Sequence, residues 1–178
     1  FLIDWNGRRI LFDTGQGLAL IPNGDRLQVD WASIDTLVLS HGHYDHTGAL
    51  SAVLSRTSHP DLYAHPDAFE AKFAQNADGA SRDVGMSIKD KEDARGMAQV
   101  ISVEQPTELV EGFWLTGPVP RSTPYEDTGG RFFRDAACSD PDVLRDDQAA
   151  FLVAKEGTVV ILGCAHAGVV NTFNYTRS

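Results

Sequence analysis

Cysteine is scarce: Cys138 and Cys164 are the two in 178 residues. That is too few for a disulfide framework, and a reduced, cytoplasmic setting is the expectation. Long apolar runs are missing as well. No segment approaches the roughly 18 consecutive apolar residues of a membrane-spanning helix, so a helical membrane protein is excluded. Basic residues are outnumbered, 15 Lys and Arg against 25 Asp and Glu, for a net charge of −10. Such a balance works against non-specific binding to nucleic acid or anionic lipid, and neither is expected as a partner. There is no internal repeat, no low-complexity tract, and no basic segment followed by an apolar stretch of the signal-peptide kind. What is present, 42% apolar and 22% charged residues, suits a globular core, and the length suits one domain, residues 1–178. The chain opens on Phe1, inside what reads as a strand, and residues 168–178 read as a helix that stops soon after it starts. The expectation is a piece of a longer polypeptide, trimmed at both ends.

Residues 1–5 and 8–12 read as strands around Asn6-Gly7, a dipeptide that favours the φ > 0 positions of a two-residue hairpin turn. Residues 34–39 form a short apolar run, a buried strand, and 48–55 place Leu50, Val53 and Leu54 at helical spacing. Further strands are expected at 61–64, 100–103, 108–110 and 113–115, and a second hairpin at 149–155 and 158–162 around Glu156-Gly157. Helices are expected at 68–75, after His65-Pro66-Asp67, and at 89–97, with a polar loop at 76–84 between them. Residues 118–142 hold four of the eight prolines and read as a long irregular segment. Many short strands with interspersed helices fit an α/β class of two sheets packed face to face with helices outside.

The chemistry concentrates between the 34–39 strand and the 48–55 helix. Three of the six histidines fall in His41-Gly42-His43-Tyr44-Asp45-His46. Neutral imidazole and carboxylate are the ligand types of zinc, and also of manganese and iron. A strand fixes where this loop begins, Gly42 permits a tight turn, and Asp45 can also cap the helix that follows. His41 and His43 lie on one side of an extended segment and can share one metal ion. Asp45 and His46 point elsewhere and can hold a second one. Such a cation renders water acidic and polarises a carbonyl or phosphoryl oxygen, with Asp45 as the catalytic group that orients the nucleophile or takes its proton.

The run His41-Gly42-His43-Tyr44-Asp45-His46 resembles the His-x-His-x-Asp-His signature of the metallo-β-lactamase superfamily. Ile10-Leu11-Phe12-Asp13-Thr14-Gly15 resembles its first motif, a strand ending in Asp. The resemblance implies a four-layer αββα sandwich with a one- or two-metal site at one edge, zinc-type because His stands at 43 where the superfamily's di-iron flavoproteins usually have Glu. Ser40 to Gly48, Thr116-Gly117-Pro118-Val119-Pro120-Arg121, Asp146-Asp147-Gln148-Ala149 and Gly163-Cys164-Ala165-His166-Ala167-Gly168 are similar to one subgroup. That subgroup comprises the 7,8-dihydropterin-6-yl-methyl-4-(β-D-ribofuranosyl)aminobenzene-5′-phosphate synthase-like proteins.

By that resemblance His41, His43 and His166 hold one ion and Asp45 and His46 the other. Cys164 takes a bridging place or is a buried structural thiol, and Asp13 stands behind a liganding imidazole. Arg121 is a candidate for a substrate phosphate. Asp146 and Asp147 read as a solvated turn, with a substrate or ligand role for Asp147 as the alternative. Members of the superfamily usually continue to a Gly-Gly-x-His motif that completes the second site, and the sequence reaches Ser178 before one; strands of the second sheet are expected to be lacking with it. The implied activity is metal-dependent hydrolysis of a small, anionic metabolite, or a synthase-like joining of a pterin and an aryl amine. The alternatives are a metal-binding sensor without turnover and a phosphodiesterase or nuclease, the last disfavoured by the lack of a basic stripe.

Overall fold

The computed structural model describes residues 1–126 and 130–177. Residues 127–129 of the expected irregular segment and Ser178 of the expected terminal helix lie outside them. Strands β1 (Leu2–Trp5) and β2 (Arg8–Phe12) form the expected antiparallel hairpin, and both turn residues have positive φ, 43° at Asn6 and 81° at Gly7. After β2 come helix α1 (Leu20–Arg26), β3 (Thr36–Val38), the single turn α2 (Tyr44–Thr47), α3 (Leu50–Leu54) and β4 (Asp61–Ala64). They are followed by β5 (Phe73–Gln75), β6 (Ser81–Asp83), α4 (Ile88–Met97), β7 (Gln99–Ser102), β8 (Thr107–Val110) and β9 (Phe113–Leu115). The described elements end with β10 (Phe132–Phe133), β11 (Ala150–Ala154), β12 (Gly157–Ile161) and α5 (Val169–Thr176).

One sheet runs β1-β2-β3-β4-β7, with β2, β3, β4 and β7 mutually parallel; a second, antiparallel, runs β12-β11-β9-β8. Strand periodicity explains how the two sheets pack. Ile10, Phe12, Val38 and Tyr63 face Phe113, Leu115, Ala150 and Leu152 of the second sheet. Their neighbours Leu11, Leu37, Leu62 and Ala64 point the other way, onto Leu50, Val53 and Leu54 of α3 and Ala94 of α4. A parallel sheet buried on both faces needs such unbroken apolar runs. Three layers of the αββα plan are thus in place, a helix layer and two face-to-face sheets, while Val153 and Val159 of the second sheet stay 55% and 50% exposed.

Two expectations fail locally. The helix expected at 68–75 is instead a short 3-10 turn, Pro66–Phe69, started by the His65 side chain accepting from the Asp67 amide. The chain then straightens into β5, which pairs with β6 inside the expected loop 76–84 and with β10 inside the irregular segment 118–142. Pairing partners from distant sequence override a local helical pattern. Helix α1 was not legible, since Pro22 and Gly24 weaken its propensity. Gly24 is required there: a Cβ would lie 2.1 Å from the Trp31 ring.

Candidate metal centre

Four parallel strands release their chain at the same edge of the first sheet, where open α/β sheets place their ligands. Asp13 follows β2, and Ser40-His41-Gly42-His43 follows β3. From the second sheet, Gly163-Cys164-Ala165-His166 follows β12, packed so closely that a Cβ on Gly163 would stand 2.3 Å from Ser40 Oγ. The rings of His41, His43 and His166 converge, with centroids 4.5 Å (41–43), 4.9 Å (41–166) and 5.1 Å (43–166) apart. His41 Nε2 and His43 Nδ1 are 2.9 Å apart. Among the described residues the ligand atoms fall into three groups, each within 4.8 Å: His41 with His43 and Asp45; His41 with Cys164 and His166; Asp45 with His46 and Cys164.

Behind these groups sits Asp13. Its Oδ1 accepts from the Ser40 amide (2.7 Å), and its Oδ2 accepts from the Ser40 hydroxyl (2.8 Å) and lies 2.6 Å from His46 Nδ1. With its hydrogen committed to Asp13, Ser40 Oγ is left to accept from His41 Nδ1, 3.0 Å away. Both histidines thereby turn their Nε2 atoms toward the cluster, the usual role of a carboxylate behind a liganding imidazole. Asp13 itself belongs to none of the three groups.

Asp45, with 48% of its side chain exposed, stands at the mouth, its Oδ2 3.8 Å from His46 Nε2. Cys164 is exposed, which corrects the buried-thiol alternative, and its Sγ lies 3.2 Å from His46 Nε2. It is common to two of the three groups. Arg121 is exposed on the irregular segment and belongs to none of them. The solvated turn expected at Asp146-Asp147 is also corrected, both residues being buried. Asp147 Oδ2 accepts from the amide following His166 (2.8 Å), while Oδ1 has no hydrogen-bond partner among the described residues and burial pushes the carboxyl pKa up. Three contributors escaped sequence reasoning: Ser40, Lys72, whose ammonium binds Asp146 (2.9 Å), and Phe132, whose ring lies 4.8 Å from that of His43. Ser40 adjoins the cluster and could have been suspected; the other two reach it only through tertiary contacts.

The electrostatics hold His41 and His43 unprotonated, as ligands of a cation must be. Burial, then the other histidines, holds His41 well below its usual pKa; burial, then His166 and Lys72, brings His43 down to about 4. Burial opposes protonation of His46 too, but the Asp13 carboxylate and Cys164 win and raise it to about 10. The Cys164 thiol, beside His166 and His46, falls to about 7. The donors fit a metal ion: His166 Nε2 is buried among imidazoles with no hydrogen-bond partner among the described residues, and a buried polar atom without a partner is costly.

A pH dependence follows for the metal-free chain. With a folded pKa of about 4 against an ordinary 6.5, His43 binds its proton more readily when unfolded. Its share of stability is therefore complete above 6.5 and lost as pH falls through 4. Denaturant unfolding in the presence of chelator is expected to show stability dropping over that window, with His43→Gln flattening the drop. An equal slope in His43→Gln would remove His43 as its source.

A family model for the metallo-β-lactamase superfamily matches residues 1–170, and the chain belongs to that superfamily. It is 34% identical over 177 residues to an uncharacterized protein of Methanocaldococcus jannaschii, covering 99% of this chain and 65% of that one. It is 26% identical over 185 residues to the 7,8-dihydropterin-6-methyl-4-(beta-D-ribofuranosyl)-aminobenzene-5'-phosphate synthase of the same organism, covering 95% and 60%. Among solved structures, Tm1679, a metal-dependent hydrolase of the beta-lactamase superfamily, superposes with a TM-score of 0.77 at 26% identity, over 97% of this chain and 64% of that one. A quorum-quenching N-acyl homoserine lactone lactonase shares the fold at a TM-score of 0.54 and 16% identity, over 89% and 57%. The chain thus spans less than two thirds of the length of each of these proteins. No described helix is long and apolar enough to cross a membrane.

Proposed function

We propose that this chain carries the metal centre of a metal-dependent hydrolase acting on a small, anionic metabolite. One observation carries the reading: His166 Nε2, buried and without a partner, joins His41 and His43 in a ring cluster no more than 5.1 Å across between centroids. His41, His43 and His166 would hold one divalent ion, with Asp45, His46 and Cys164 as the donors for another; zinc fits imidazole and thiolate best, ahead of manganese or iron. Bound there, the ion supplies Lewis-acid polarisation and a lowered pKa for water.

The rest is done by the chain. Asp13 orients His46 directly and His41 through Ser40, so that neither ring rotates. Asp45, half exposed at the mouth, is placed to hold a proton from the attacking water. Substrate approaches through a cavity of about 730 Å³ whose wall includes Asp13, Asp45, His46 and Gly163 together with Leu20 and Trp31. An apolar or planar portion suits that wall, leaving the substrate's polar group toward the histidines.

The likeness to the synthase supports a pterin or aryl-amine phosphate as one substrate to try, with the metal centre unchanged. The test is a screen of phosphodiester, thioester and lactam substrates with added zinc or manganese, beside elemental analysis of the purified chain. Turnover that disappears with chelator and in His43→Ala is expected. Ligand binding with metal but without turnover would replace the enzyme by a sensor.

A further inference from the structure

Lys72 is buried and is not among the candidate metal donors. Its side chain is 2% exposed, and its ammonium donates to Asp142 Oδ2 (3.0 Å) and Asp146 Oδ1 (2.9 Å), whose side chains are 3% and 0% exposed. A lysine so buried is rare unless paired. Desolvating three charged groups is also expensive enough that such a cluster is poor evidence for stability alone. Its connections lead to the metal centre. Asp146 uses its other oxygen, Oδ2, to accept from the amide of Gly42 (2.8 Å), between His41 and His43. The main chain of Lys72 reaches the same loop by a second route: its carbonyl accepts from the Val84 amide (2.9 Å), and the Val84 carbonyl accepts from the Tyr44 amide (2.9 Å). The amides on both sides of His43 are therefore tied, one residue removed, to Lys72. On another side the loop has no slack, since a Cβ on Gly42 would stand 2.2 Å from the Ala68 carbonyl oxygen.

We propose that Lys72 is a positioning residue for the metal centre: clamped between Asp142 and Asp146, its ammonium fixes the carboxylate that grips the Gly42 amide, and so sets where the His41 and His43 rings point. The inference rests on the reading of the histidine cluster as a metal centre. A carboxylate anchored at one oxygen can swing; anchored at both, it cannot. The cation is what engages the second oxygen in a place water does not reach. Asp142 holds the ammonium from the far side, with Arg134 Nε 3.9 Å from its other oxygen.

The test measures Zn²⁺ affinity by competition with a chromophoric chelator, and the visible spectrum of bound Co²⁺, which reports ligand geometry. Lys72→Met and Asp146→Asn are expected to weaken zinc binding about 10- to 100-fold, the usual cost of removing a partner behind a ligand, and to alter the cobalt spectrum. Val53→Ala, a truncation in the helix-side core, is expected to lower the melting temperature while keeping the parent's affinity and spectrum. If Lys72→Met does not fold, Asp146→Asn decides by itself. Parent-like affinity and spectrum in the folded variant, whatever its stability, overturn the positioning role alone. A parent chain that takes up no zinc overturns the metal reading, and this inference with it.

Discussion

Replacing His166 with alanine is expected to weaken zinc binding by at least about 100-fold, the upper end of the cost of losing a mere supporting partner. His166 is the informative choice among the histidines. His41 is fully buried, so its removal leaves a hole in the packing and confounds affinity with stability. His166 follows β12 and is only partly buried, and its Nε2 makes no hydrogen bond that alanine would forfeit. Truncation removes that donor together with the ring's contacts to His41, His43 and Phe132 and its hydrogen bond with Cys164. It also relieves His43 of a neighbouring imidazole that holds its pKa down. Chelator competition measures the affinity, and unfolding in excess chelator checks that the metal-free fold is intact. Unchanged affinity would exclude His166 from the ligand set and leave two groups, His41 with His43 and Asp45, and Asp45 with His46 and Cys164.

Gly42→Ala is expected to cost more in metal binding than its one added methyl group implies. The new Cβ would lie 2.2 Å from Ala68 O, 2.7 Å from Ala68 Cα and 2.8 Å from Ala68 C. All three are backbone atoms of the Pro66–Phe69 turn, not the end of a side chain that can step aside. Overpacking of this kind costs about 1–3 kcal/mol, and the relief available is a shift of the loop itself. A displacement of about 1 Å in a positioned site can cost about 100-fold in rate. Loss of metal affinity together with lowered stability is the expected pair of readings, by chelator competition and thermal unfolding. Gly42→Ala with parent-like affinity would mean that the turn can move without moving its histidines.

Much of the site is local in sequence and so was legible there. Four of the six converging donors, His41, His43, Asp45 and His46, sit within one six-residue run, between a strand and a helix that short-range patterns identify. The Asp13 position, after a strand with the same apolar run, was readable for the same reason. The failures share one cause. β5 became a strand because β6 and β10 offered it partners. Asp146, which looks like a turn residue beside Asp147, is buried because Lys72, some seventy residues earlier, reaches it.

The sequence by itself carried the resemblance to the superfamily in its motifs, and it determined the double-sheet plan and the histidine run, because hydrophobic period and ligand spacing are written over a few neighbouring residues. Only the tertiary structure decided that His166 and Cys164 meet that run, that Asp13 steers His46 directly and His41 through Ser40, and that Lys72 stands behind the Gly42 turn. Those contacts span 27 to 125 positions along the chain. They exist only once the two sheets have packed and excluded water, when a buried charge must find a partner wherever the fold has placed one.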